Sequence, residues 1–167
     1  MAELAPMERL QPALLDRLTD DAPERKQEPR EARVITSQKL RAAVIRDLGW
    51  LLNATRPLQG VAWDDAPHAE RSVINYGLPA LSGETASTLD IGGLESRLRR
   101  AIVDFEPRID PATLRVRALA TQDLLDHHNQ IQFEIHGQLW AQPVPIEMLL
   151  RTEVDLETGQ VDVRDLG

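Results

Sequence analysis

The sequence predicts an α+β domain, with about three helices packed on one face of a small antiparallel β-meander and a flexible N-terminal tail ahead of it. Three observations carry this reading. Apolar residues recur at helical spacing as far as Pro107 and then, after Pro111, at every second position. Helices that come first, with consecutive strands after them, give an antiparallel sheet whose helices are segregated to one face. Residues 1–35 hold 4 of the 11 prolines, no aromatic residue and a dense charge run over 20–31. Such a stretch cannot bury enough apolar surface to offset its ordering entropy. The chain therefore divides into a mostly flexible segment over 1–35 and one α+β domain over 36–167.

Within the tail, Leu14, Leu15 and Leu18 follow Pro12 at spacings that fit a short helix near 12–19. A helix so short is unstable alone. It is either a fraying turn or a segment that docks on a partner through Leu14, Leu15, Asp16 and Arg17. The first strong helix covers 37–53, with Thr36 or Ser37 as N-cap and Leu40, Val44, Leu48, Leu51 and Leu52 as its apolar stripe. Lys39, Arg41, Arg46 and Asp47 form its wet face, and Trp50, beside the stripe, is expected in the core. Thr55-Arg56-Pro57 ends it. Asp64 or Asp65 is expected to cap a second helix, with Pro67 in its first turn, carrying Val73, Ile74 and Tyr76 and closing at Gly77. Residues 82–87 read as a polar loop. A third helix runs from about Asp90 to Phe105 on the stripe Leu94, Leu98, Ala101, Ile102 and Phe105, and Pro107 stops it.

The period then changes. Leu114, Val116 and Ala118 alternate with Arg115 and Arg117, and Ile131, Phe133 and Ile135 alternate with Gln132, Glu134 and His136. Gly137 is expected to mark a bulge before Leu139-Trp140. Ile146, Met148, Leu150, Thr152 and Val154 form a third run, Glu157-Thr158-Gly159 is a turn signal, and Val161 and Val163 begin a short fourth strand.

Composition removes several function classes. A net charge of −8 disfavours sequence-independent nucleic-acid binding and adsorption to anionic membranes. With no cysteine there is no disulfide scaffold, thiol nucleophile or Cys-ligated metal. No apolar run approaches a membrane span, and no signal peptide is expected, so the expected location is cytoplasmic.

Catalytic and metal constellations are absent from the pattern. His127-His128 with Asp123 and Asp126 is the one tight His/carboxylate cluster, but adjacent histidines do not face the same way and no i, i+4 His pair exists. His68 and His136 are isolated. No serine sits in a nucleophile elbow, and Gly92-Gly93 lacks the strand and lysine of a phosphate loop. No metal or cofactor is expected. A glycosidase needs two suitably spaced carboxylates, and Glu106 has no evident partner beyond Asp110.

Glu106-Pro107-Arg108 is the informative tripeptide. It places a carboxylate in the last helical turn, where the helix dipole disfavours it. Either Arg108 neutralises it locally, or a partner protein supplies a basic group there. A second Glu28-Pro29-Arg30 follows no helix and reads as coincidence.

Glu106-Pro107-Arg108, closing a helix and leading into a meander, resembles the core motif of the baseplate wedge proteins of contractile injection machines, whose phage members are called lysozyme-like. Further stretches, in order, sharpen the likeness to the TssE family of type VI secretion baseplate subunits. They are 14–21, Arg46-Asp47-Leu48-Gly49-Trp50-Leu51-Leu52-Asn53, Ser72-Val73-Ile74-Asn75-Tyr76-Gly77-Leu78-Pro79, Phe105-Glu106-Pro107-Arg108-Ile109, Phe133-Glu134-Ile135, Leu139-Trp140-Ala141 and 151–159. The resemblance implies a non-enzymatic structural subunit. It would bind a helical bundle of larger wedge subunits (TssF and TssG type) through Glu106, Pro107 and Arg108, and help to seed a contractile sheath. A peptidoglycan hydrolase and a soluble adaptor are the alternatives. For sheath contact, Val161 and Val163 would offer an edge strand, in a 146–167 segment with six acidic and two basic residues.

Overall fold

The structure, a computed structural model, describes residues 13–19, 23–24, 35–57, 64–66, 68–80, 90–119, 130–141 and 144–167. It is α+β, with helices α1 (Leu14–Leu18), α2 (Ser37–Asn53) and α3 (Ile91–Phe105) and strands β1 (Arg115–Ala118), β2 (Gln130–Leu139), β3 (Ile146–Asp155) and β4 (Val161–Asp165). The strands lie in sequence order in one antiparallel sheet.

Each long helix starts where its cap chemistry dictates. The Thr36 hydroxyl accepts the Lys39 N–H, and the Asp90 carboxylate accepts the Gly93 N–H. Leu40, Val44, Leu48, Leu51 and Leu52 of α2 and Leu94, Leu98 and Ile102 of α3 are all buried. Their partner surface is the inner sheet face, where Phe133, Ile135, Leu139, Met148, Leu150 and Val154 are buried. Register builds that face in rows. Ile135 lies between Val116 and Leu150, and Phe133 between Ala118 and Thr152. Helix α3 lies over β1 and α2 over β4. The opposite face carries Gln132, Glu134, Arg151 and Glu153, none of them buried, and His136 there pairs with Glu147 at 2.9 Å.

Three expectations need correction. The second helix is absent among the described residues. Turns lead instead to a single 3₁₀ turn, Val73–Asn75, on which Val73 and Ile74 are exposed. Local side-chain bonds compete with the helix there, since Ser72 Oγ donates to the Ala69 carbonyl and Asn75 Nδ2 to the Glu70 carbonyl. Gly77 does have positive φ (115°), but its purpose is close approach. The Leu78 N–H reaches the Ala54 carbonyl at 2.8 Å, and a Cβ at Gly77 would sit 2.2 Å from that oxygen.

Trp50 is not a core residue. It is 52% exposed, with the Arg46 guanidinium 5.0 Å from its ring centroid. Gly137 marks no bulge, because it pairs with Met148 in an unbroken ladder. It is small because Ile109 crosses there, 3.1 Å from where a Cβ would be. The loop over 82–87, Pro12, Pro67 and the His127-His128 cluster lie outside the described residues. Among the described residues, no helix is long and apolar enough to cross a membrane.

Candidate functional site

Helix α3 ends at Phe105, and Glu106 is its C-cap, its N–H still donating to the Ile102 carbonyl. Pro107 cannot continue the helix. The chain turns, and the Trp140 N–H at the end of β2 donates to the Arg108 carbonyl at 2.8 Å. This fixes the turn against the sheet. Glu106 is only 3% exposed. Its carboxylate is held by Arg108, with Nε donating to Oε1 at 2.7 Å, Nη2 to Oε2 at 2.5 Å and the Arg108 N–H to Oε1 at 3.1 Å. The local neutralisation open to Arg108 is therefore in place.

The pair is one end of a longer chain of alternating charge. Arg108 Nη2 also donates to Asp47 Oδ2 at 2.5 Å. Arg46 donates from Nε to Asp47 Oδ1 at 2.9 Å and from Nη1 to Asp16 Oδ1 at 2.5 Å. Burial works against the charge on Arg108, but the hydrogen bonds and charges of Glu106 and Asp47 outweigh it, so its pKa is raised. Burial, and then the Asp47 and Glu106 charges, push the Tyr76 phenol upward. The Asp16 hydrogen bond raises the pKa of Arg46.

These groups border an open cleft of about 430 Å³. Tyr76 and Phe105 meet edge to face in its lining (5.2 Å), and Trp50, Leu15 and Pro107 line it too. Arg108 Nη1 is buried with no acceptor among the described residues. Chemically the site can clamp a protein surface through aromatic faces and a fixed guanidinium. Both oxygens of Glu106 are committed to that guanidinium.

The tail residues come to the same place. Asp16 joins the charge chain and Leu15 lines the cleft, while Leu14 and Leu18 point to solvent. Arg17 is exposed and makes no contact with the cluster. Val161 and Val163 lie elsewhere, on the edge strand β4 beside β3. Sequence reasoning left Arg46 and Asp47 as a solvated face and Trp50 as core. The signal that could have found them is helical spacing, because Arg46, Asp47 and Trp50 fall at i, i+1 and i+4, off the apolar stripe.

Comparison with known proteins gives one finding. The family model of the baseplate wedge protein gp25 matches residues 38–144, which include Arg46, Asp47, Trp50 and Glu106-Pro107-Arg108. No characterised protein and no solved structure gives a match. The match spans well over half of the chain and takes in most of the residues that line the cleft. The chain therefore belongs to the gp25 baseplate wedge family, the family of the TssE subunits, and has a structural role among other baseplate proteins.

Proposed function

We propose that the protein is a non-enzymatic wedge subunit of a type VI secretion baseplate. It works in the cytoplasm, in an assembly docked to the membrane. It binds the helical bundle of the larger wedge subunits, of TssF and TssG type, at the cleft beside Glu106-Pro107-Arg108, and it helps to start the contractile sheath from β4.

The carrying observation is the cleft itself. Trp, Tyr and Arg are the side chains that dominate binding energy at protein interfaces. Here Trp50, Tyr76 and Arg108 converge on one cleft. The Arg108 side chain, fixed in the cleft wall and 24% exposed, is where a partner carbonyl or carboxylate would be stabilised. Glu106 and Asp47 hold that guanidinium in place, and Pro107 fixes the turn that carries it.

Co-purification with the two larger wedge subunits tests this, comparing wild type with Trp50→Ala, Glu106→Ala and Arg108→Ala. Loss of the complex with the fold retained in Trp50→Ala supports the reading. Retained binding in all three removes the cleft as the contact. Clear lysis of peptidoglycan by the purified protein in a turbidity assay would overturn the non-enzymatic part.

A further inference from the structure

A four-stranded meander has two edges, β1 and β4, and each presents outward N–H and C=O groups at alternate residues. On β1, the Leu119 N–H bonds inward to the Gln132 carbonyl, so Leu114, Val116 and Ala118 face outward. Helix α3 covers two of these. Glu95 accepts the Ala118 N–H at 2.6 Å, and Arg99 reaches the Leu114 carbonyl at 3.4 Å.

On β4, the Asp155 N–H bonds to the Gln160 carbonyl and the Leu166 N–H to the Leu149 carbonyl. Val161, Val163 and Asp165 therefore face outward. Val161 is already paired. Asn53, the last residue of α2, accepts its N–H on Oδ1 at 2.9 Å and donates Nδ2 to its carbonyl at 2.8 Å. One side-chain amide thus fills the place that a peptide group of a fifth strand would take. Among the described residues, nothing pairs with the outward backbone groups of Val163 and Asp165.

We infer that Asn53 is a stop that sets where a partner strand adds to β4, confining the addition to residues 163–167. The inference rests on the reading of β4 as a docking edge. The partner it fits is an extended segment with an apolar residue beside Val163, continuing the layer in which Val163 packs on the core. On its other side the segment is polar, meeting a face on which Arg164 pairs with Asp162 and on which Arg151 and Glu153 stand beside them on β3. Arg41 borders this window, with its guanidinium against Gly167 and Nη1 donating to the Glu147 carbonyl at 3.0 Å, but it takes no outward backbone group of Val163 or Asp165. It binds the Asp165 carboxylate through Nε (2.6 Å) and Nη2 (2.5 Å), not the strand's outward backbone.

Amide hydrogen exchange by NMR tests the stop, with an acetylated hexapeptide of alternating lysine and valine as the probe strand. In the free wild type, the Val161 amide is expected to be protected and those of Val163 and Asp165 to exchange fast. Saturating peptide slows Val163 and Asp165 and leaves Val161 unchanged. In Asn53→Ala, Val161 exchanges as fast as Val163 without peptide, and is slowed with it. The peptide also binds roughly tenfold tighter, as two more backbone bonds become available. Asn53→Asp keeps the acceptor for the Val161 N–H and loses the donor, so Val161 stays protected with no gain in peptide affinity. Unchanged Val161 exchange in Asn53→Ala overturns the stop. If instead Val161 behaves as expected but peptide slows neither Val163 nor Asp165 in either protein, the docking edge is the part that fails.

Discussion

Replacing Arg108 by methionine isolates the buried charge at the turn after α3. The substitution keeps the aliphatic stem and removes the guanidinium. Glu106, at 3% exposure, loses the bonds of 2.7 and 2.5 Å from Nε and Nη2 and keeps only the 3.1 Å bond from the backbone N–H. Stripping one partner from a buried ion pair costs about 3–5 kcal/mol. The Arg108 side chain is 24% exposed, so water enters the vacated space and the lower end applies, about 3 kcal/mol. For a domain of this size that lowers Tm by roughly 6–12 °C. Urea unfolding of wild type, Arg108→Met, Glu106→Gln and the double variant measures it as a cycle. The neutral amide in the double variant needs no counter-charge, so it is expected to recover about 1.5 kcal/mol or more of the loss. The loss should also persist in high salt, because a buried pair is weakly screened. A loss below about 1 kcal/mol for Arg108→Met, or strict additivity in the cycle, would refute the argument that Glu106 depends on Arg108.

Other expectations follow from single contacts. Trp50→Ala is expected to lower stability by under about 1 kcal/mol, since the ring is half exposed and its contact with Arg46 is a surface cation–π pair. In the same variant, co-purification with larger wedge subunits is expected to be lost. Gly77→Ala forces the Ala54–Leu78 crossing apart, breaking bonds of 2.8 and 2.7 Å. Bond loss and backbone strain together give about 3 kcal/mol in thermal or urea unfolding. The hydrogen bond from Arg41, partly opposed by burial, holds the Asp165 carboxyl below its usual range. A depressed carboxylate stabilises the fold above its unfolded pKa, and that stability is lost as pH falls through the folded value. Asp165→Asn should therefore cost about 0.5–1 kcal/mol at pH 7, discounted for solvent screening, and the difference from wild type should shrink in unfolding curves as pH falls through the carboxylate range and vanish once the folded carboxyl is protonated.

The long elements were legible because one physical signal governs each. Apolar periodicity placed α2, α3 and the strand runs, and Thr36 and Asp90 are side chains that cap. The failures have a common cause. Around Val73 and Ile74, an apolar pair implied burial, but side-chain bonds from Ser72 and Asn75 settled the backbone into a 3₁₀ turn and left the pair outside. At Gly137 the missing side chain answers to Ile109, a residue distant in sequence, and no local pattern announces that. The motif Glu106-Pro107-Arg108 was visible, but its extension through Asp47 and Arg46 to Asp16 joins three separate stretches of chain. Which edge of the sheet is open was equally hidden. It depends on Glu95, inside α3, and Asn53, the last residue of α2, polar residues whose strand partners lie far along the chain.

Helix α2 grips β4 near both ends, with Arg41 on Asp165 and Asn53 on Val161, and holds Arg46, Asp47 and Trp50 at the cleft between those grips. Seventeen residues make a rod about 25 Å long. The cleft and the open edge are therefore mounted on one strut. A tug on β4 is shared between its ladder with β3 and two side-chain anchors, and the anchors pass their share along the helix to the cleft. If partners dock at both places, as proposed, load between them runs along this one helix, which has no hinge between its two anchors.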